Sequence, residues 1–346
     1  MLYVTTRSDS DAFTAQRVLC EKRSGDAGLY VPFRSPLYSP EDIDSFAGKR
    51  FSAAVAELIN LQFNTRLSSY DVDLALGRYP VRLEKLSHRI LVAECWHNTR
   101  GQLDRMGENL AGLINSEPGR EVEGDWLSIG LRIAILFGIY GELNRAGMAD
   151  RDNPFDISVY SGDFTSGISA WYARSWGLPI GNIVVCCNEN NGLWNFLSLG
   201  QLRTDGVPIP TRTPLADVTV PENLERLIHA VAGAGEAEHW FDCVKNGVSY
   251  YLPATFMPNL RNGLQISVVS QVRMFSTISN CFATLGYLMS PYDALCHSGL
   301  LDYRSRTGSS GTALILSERS AYLDLDTVAQ ALDKEPQQVK QYLDKR

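Results

Sequence analysis

Lysine is scarce in this 346-residue chain: only 7 of its 32 basic residues are lysine, set against 39 acidic ones. The resulting net charge of −7 contains no block of one sign, which argues against nucleic acid or an anionic membrane as a partner. Histidine is sparse as well. His88, His97, His229, His239 and His297 are scattered, with no H-x-x-x-H spacing. The 7 cysteines include no C-x-x-C pair, and their odd number and irregular spacing fit neither a disulfide framework nor a zinc site. No metal is expected. The start "MLYVTTRSDSD" has no apolar stretch behind basic residues, so no export signal is read and a cytoplasmic address is expected. The most apolar run, "LSIGLRIAILFGIYGEL" from Leu127, is interrupted by Arg132 and is too short to cross a bilayer. It is expected to be a buried helix.

What is present is an ordinary globular composition, 45% apolar and 21% charged, in a chain long enough for two cores. "SPEDIDSF" places Ser39 at an N-cap, Pro40 at the first helical position and acids in the first turn. A further helix is predicted from about Phe51 to Phe63. In the middle of the chain, "DISVY" (Asp156 to Tyr160) reads as a strand, "SGDFTSG" as a turn and "ISAWYARSW" as a helix with Ile168, Trp171 and Tyr172 on one face. "NIVVCC" reads as a second, buried strand carrying Cys186 and Cys187. Gly177 and Pro179 stop the intervening helix, so the stretch is one βαβ unit. A loop between a strand and a helix N-terminus favours an anion, yet here it carries Asp163. "RTDGVPIPTRTPLADV" is a Pro-rich connection and "TGSSGT" a turn, with no G-x-S-x-G elbow. The tail is expected to form two short helices around Lys334 to Pro336.

The order of these motifs resembles the threonine synthase family, pyridoxal-phosphate (PLP) enzymes of the tryptophan-synthase β-like class, fold type II. The opening "MLYVTTRS…DAGLYVP", the segment from Ser161 through "CCNENNGLWNFLSLGQL", "VPENLERLI" from Val220, "GYLMSPYDAL" from Gly286 and "LILSERSAYL" from Leu314 follow the family's motifs in the family's order. The resemblance implies an α/β fold with a central, mostly parallel sheet. It divides the chain into an N-terminal segment, residues 1–92, a large α/β domain, residues 93–330, and a helical tail, residues 331–346. It also implies that the family's small domain is deleted or reduced, between about residues 110 and 124.

Against the family's "E-L-F-H-G-P-T-L-A-F-K-D", the stretch "ECWHNTRGQLDR" aligns without a gap. Glu94 and His97 keep their positions, and Asp104 falls on the lysine that bonds PLP. A carboxylate forms no imine. The phosphate loop corresponds to Gly162, Asp163, Phe164, Thr165 and Ser166, with Asp163 in place of asparagine and Thr165 in place of glycine. Ser317 takes the place of the hydroxyl residue facing the pyridine nitrogen. The family's "A-H-P-A-K-F" has become "ERSAYL", and the histidine of its "D-P-H" has become Tyr292.

These departures lead to the expectation that no cofactor is bound and that PLP-dependent catalysis is lost. The chain is then a pseudoenzyme acting through a protein partner or a second copy seated over the vacated cleft. The alternative is a repurposed, PLP-independent enzyme, a lyase or transferase on an amino-acid-like substrate, using Glu94, His97, Arg100 and Asp104 for acid-base chemistry.

Overall fold

The computed structural model describes residues 1–114, 122 and 124–345. Its strands are β1 (Leu2–Thr5), β2 (Ser8–Thr14), β3 (Tyr30–Pro32), β4 (Arg82–Ser87), β5 (Ile90–Glu94), β6 (Phe155–Tyr160), β7 (Ile180–Cys187), β8 (Gln201–Leu202), β9 (Tyr250–Tyr251), β10 (Leu264–Val268) and β11 (Ala313–Ser317). Six of them form the central sheet in the order β10-β7-β6-β11-β5-β4. Every pairing in it is parallel except that of β4 with β5. The mostly parallel sheet expected from the sequence is therefore present. β1 pairs antiparallel with both β2 and β3 in a small separate sheet, and β8 pairs with β9.

A parallel sheet is covered on both faces, and so its strands read as continuous apolar runs. All five residues of β5 and of β11 are buried. Successive side chains point to opposite faces. Leu91, Ala93, Ile157, Val185, Leu314 and Leu316 enter one core, together with the Phe51–Phe63, Trp126–Arg145 and Thr165–Ser175 helices. Ile90, Val92, Val184, Cys186 and Ile315 enter the other, with the Gln271–Leu285 and Pro291–Thr307 helices. Each large apolar side chain so buried contributes about 1.5–3 kcal/mol.

The apolar run from Leu127 belongs to the Trp126–Arg145 helix, whose 20 residues are by length enough to span a bilayer. Its residues are mostly buried inside the protein. A Cβ at Gly138 would sit 2.7 Å from the Phe51 ring, and one at Gly130 2.5 Å from the Gln62 side chain. Close packing on the Phe51–Phe63 helix requires those glycines.

The Ser39 cap carries a full capping box with Asp42, although the helix it starts is short, Pro40–Ser45. Gly177 takes φ 111°, the left-handed stop expected of it. The tail forms the helices Leu325–Leu332 and Pro336–Leu343, and the second is docked by Val339 and by the Tyr342 ring against Phe282.

The boundary drawn at residue 92 falls inside β5, and β4 already belongs to the central sheet. Among the described residues between Asp104 and Gly162, the elements are two helices and β6. The expected deletion, about residues 110 to 124, lies partly outside the described residues.

Candidate functional site

The parallel strands β5, β6 and β11 end at Glu94, Tyr160 and Ser317. Their outgoing loops meet at one edge of the sheet, the edge at which open α/β folds form clefts. Two cavities lie there, one on each side of β11.

The first cavity, about 500 Å³, is lined by residues that include Asp104, Arg132, Tyr160, Ser161, Asp163, Thr165, Ser166 and Glu318. Its dominant feature is Arg132, the charge that interrupts the apolar run, and it is almost fully buried. Arg132 Nε and Nη2 donate to the two Glu318 carboxylate oxygens at 3.0 Å each. Nη2 also donates to Asp104 Oδ1 at 2.8 Å, Nε to Ser166 Oγ at 3.2 Å and Nη1 to the Ser128 carbonyl at 3.2 Å. Ser166 Oγ in turn donates to Glu318. Burial opposes the Arg132 charge, but Glu318 and Asp104 outweigh it and hold the guanidinium more firmly charged than usual.

The loop at the start of the Thr165–Ser175 helix is occupied by its own side chain. Asp163 Oδ1 accepts from Thr165 N at 3.0 Å and from Thr165 Oγ1 at 2.7 Å. Phe164 takes φ 70°, and its ring is fully buried, so it packs into the core and does not line the cleft.

The second cavity, about 460 Å³, is lined by residues that include Glu94, Trp96, His97, Arg100, Leu288 and Asp293. His97 Nε2 lies 2.7 Å from Glu94 Oε2, and the Tyr287 hydroxyl donates to Glu94 Oε1 at 2.7 Å. The Trp96 ring stacks on His97 with centroids 4.2 Å apart, and its Nε1 donates to Ser317 Oγ at 3.0 Å. Ser317 Oγ donates onward to Asp293 Oδ2 at 2.9 Å. Burial pushes the Asp293 carboxyl up to about 7, with the Ser290 and Ser317 hydrogen bonds pulling it down and the Glu94 charge pushing the same way as burial.

The four residues grouped as a catalytic cluster are thus divided. Glu94, His97 and Arg100 share the second cavity, and Asp104 lines the first. Ser317 stands between the two, fully buried and bonded on the Asp293 side. Arg132 and Glu318 were not among the residues singled out. The signal for Arg132 was a lone charge in an apolar helix, which in a buried setting demands a partner. Asp293, inside "SPYDAL", reads only as a helix-capping acid.

The sheet and its helices have the fold of solved threonine synthases. By structure the chain superimposes on PLP-bound threonine synthase from Brucella melitensis with a TM-score of 0.82 at 17% identity, covering 96% of this chain and 91% of that one. Threonine synthase from yeast superimposes with a TM-score of 0.83 at 16% identity, covering 96% and 90%. Residues 2–75 match the family "Threonine synthase N terminus". Human "Threonine synthase-like 1" is 24% identical over 160 residues, 45% of this chain but 21% of that protein. The chain therefore spans about a fifth of the length of that relative. The chain is thus similar to threonine synthases over its first 75 residues by family model and over its whole fold by structure. The expectation of no cofactor is corrected by these findings, because the Brucella melitensis protein on the same fold carries PLP.

Proposed function

We propose that this threonine synthase-like chain does not run imine-dependent catalysis and acts through binding. The carrying observation is the Arg132 guanidinium paired with both Glu318 and Asp104, at 3.0 Å and 2.8 Å. Matched to PLP, the first cavity brings the Ser161, Thr165 and Ser166 hydroxyls beside a guanidinium. Thr165 already donates to Asp163, Ser166 to Glu318, and Arg132 to Glu318 and Asp104, so a phosphate would have to displace them. Asp163 competes for the same helix N-terminus. For the covalent part there is no match. No lysine lines the cavity among the described residues, and the residue aligned with the family's lysine is a carboxylate held in an ion pair. No step through the cofactor is derived for this chain.

The binding partner in this reading is another protein or a second copy of the chain, seated over the cleft edge. A reducing, cytoplasmic compartment suits seven cysteines that are all free and buried.

The test is incubation with PLP, borohydride reduction and peptide mapping, alongside complementation of a threonine auxotroph. The expected outcome is no reduced adduct on any lysine of the cleft and no growth, from either the native chain or Asp104→Lys. A single-site lysine adduct in the native chain, or growth, overturns the reading. For the partner, His97→Ala, Arg100→Ala and Asp104→Ala combined is expected to change the oligomeric state or the set of proteins co-purified from its own cells. An unchanged profile removes the cleft as the contact surface.

A further inference from the structure

The second cavity carries charges that the fold itself leaves without partners. Asp293 is 3% exposed and lines the cavity. Its Oδ2 is used twice, accepting from Ser290 N at 3.3 Å and from Ser317 Oγ at 2.9 Å. Oδ1 has no hydrogen-bond partner among the described residues. Capping the Pro291–Thr307 helix accounts for only one of the two oxygens, and Oδ1, which is not sealed inside the protein, is left to the cavity that Asp293 lines. Glu94, held by His97 and Tyr287, adds a second buried carboxyl near by and pushes the Asp293 carboxyl up. That end of the cavity favours a cation.

On the cavity's exposed side stands Arg100, for which no carboxylate partner exists among the described residues. Its backbone takes φ 52°, a left-handed conformation that costs a non-glycine residue about 1 kcal/mol or more. The turn that holds it there is fixed. Gly101 takes φ 86°, a Cβ on it would press on Leu323 at 3.1 Å, and its carbonyl accepts from Ser320 N at 2.9 Å. The same cavity is lined by the apolar Trp96, Leu288, Leu323 and Leu343 and by Arg82, whose guanidinium pairs with Glu84. Trp96 cannot swing freely, because it is stacked on His97 and bonded to Ser317.

We propose that this cavity binds a small zwitterion with an apolar body, its ammonium on Asp293 Oδ1 and its carboxylate on Arg100. The volume, about 460 Å³, suits a ligand of amino-acid size with room for water. Asp104 and Arg132 of the first cavity take no part in the site, and Arg100, which also belongs to the cleft edge tested for a partner, is read here by small-molecule affinity alone.

Isothermal titration with L-leucine, L-phenylalanine and 6-aminohexanoate tests it, with 4-methylpentanoate and 3-methylbutylamine as analogues that each lack one charge. At least one zwitterion is expected to bind with a Kd below about 1 mM, and each single-charge analogue about tenfold or more weaker. Arg100→Gln and Asp293→Asn are each expected to weaken the zwitterion by about tenfold or more. Arg100 is exposed, so Arg100→Gln reads out binding even if Asp293→Asn disturbs the helix cap. No binding by any of the three zwitterions, equal binding by a single-charge analogue, or binding untouched by Arg100→Gln overturns the proposal. Asp104→Asn is expected to leave the affinity unchanged, and a loss there would place the ligand in the first cavity instead.

Discussion

The two cavities beside β11 use buried charge in opposite ways. In the first, Arg132 answers Glu318 with both ends of its fork and reaches Asp104 as well, so its charges are matched inside the protein. In the second, Asp293 keeps one oxygen and Arg100 its whole guanidinium without a protein partner among the described residues. Matched charge fixes a structure, because breaking it strands an ion. Unmatched charge raises the free energy of the protein alone, and a ligand of the right charge relieves it. The same sheet edge thus holds one closed network and one open set of charges.

The largest expected effect breaks the closed network. Arg132→Met strands Glu318 and is expected to cost about 3–5 kcal/mol in urea unfolding, whereas adding Glu318→Met to it should restore most of the loss. A cost below about 1 kcal/mol for the single change would show that the network is not stabilising.

The next effect concerns the open set and is read from pH. The Asp293 carboxyl is pushed up from 3.8 to about 7, so between those values the folded state holds a proton that the unfolded state has released. Its contribution therefore falls as pH rises across that window and is constant above it, with an upper bound of about 4 kcal/mol. Asp293→Asn is expected to be more stable than the native chain at pH 8, with the gap shrinking as pH falls toward 4. His297 works in the opposite direction, since burial lowers its pKa to about 4 and it loses stability as pH falls below its ordinary 6.5. The difference between the native chain and Asp293→Asn, rather than either curve alone, isolates Asp293.

A smaller effect tests the link between the cavities. Ser317→Ala removes the donor to Asp293 and the acceptor for Trp96 Nε1, and is expected to cost about 1–2 kcal/mol by thermal unfolding. The smallest is Asp104→Asn. The Asp104 side chain is 69% exposed, so its bond to Arg132 is screened, and the change is expected to be worth less than about 1 kcal/mol. A loss near that of Arg132→Met would make Asp104 an equal member of the closed network.

Much of the fold was legible in the chain. The βαβ unit from Asp156 to Cys187, the Phe51–Phe63 helix, the stop at Gly177 and the two tail helices all rest on local signals, namely apolar period, caps and punctuation by glycine and proline. The site was less legible. Alignment put Asp104 on the position of the family's lysine, but spacing along a loop says nothing about which side of β11 a residue faces, and Glu94, His97 and Arg100 went to the other cavity. Phe164 was placed in the cleft by its neighbours in sequence, and its aromatic ring went to the core instead. Arg132 and Glu318 lie 186 residues apart, and nothing local in either segment announces the other.

The sequence by itself determined the elements, the alternation that builds a parallel sheet, and the chemical fact that position 104 has no amine, because propensity, periodicity and residue identity are properties of single positions and short windows. Only the tertiary structure decided which charges met. Arg132 found Glu318 and Asp104, while Asp293 and Arg100 were left facing one cavity. That outcome depends on strand order and on which face of β11 each loop covers. It is fixed by the packing of two cores across one sheet, where the cost of an unpaired buried charge is set by every neighbour at once.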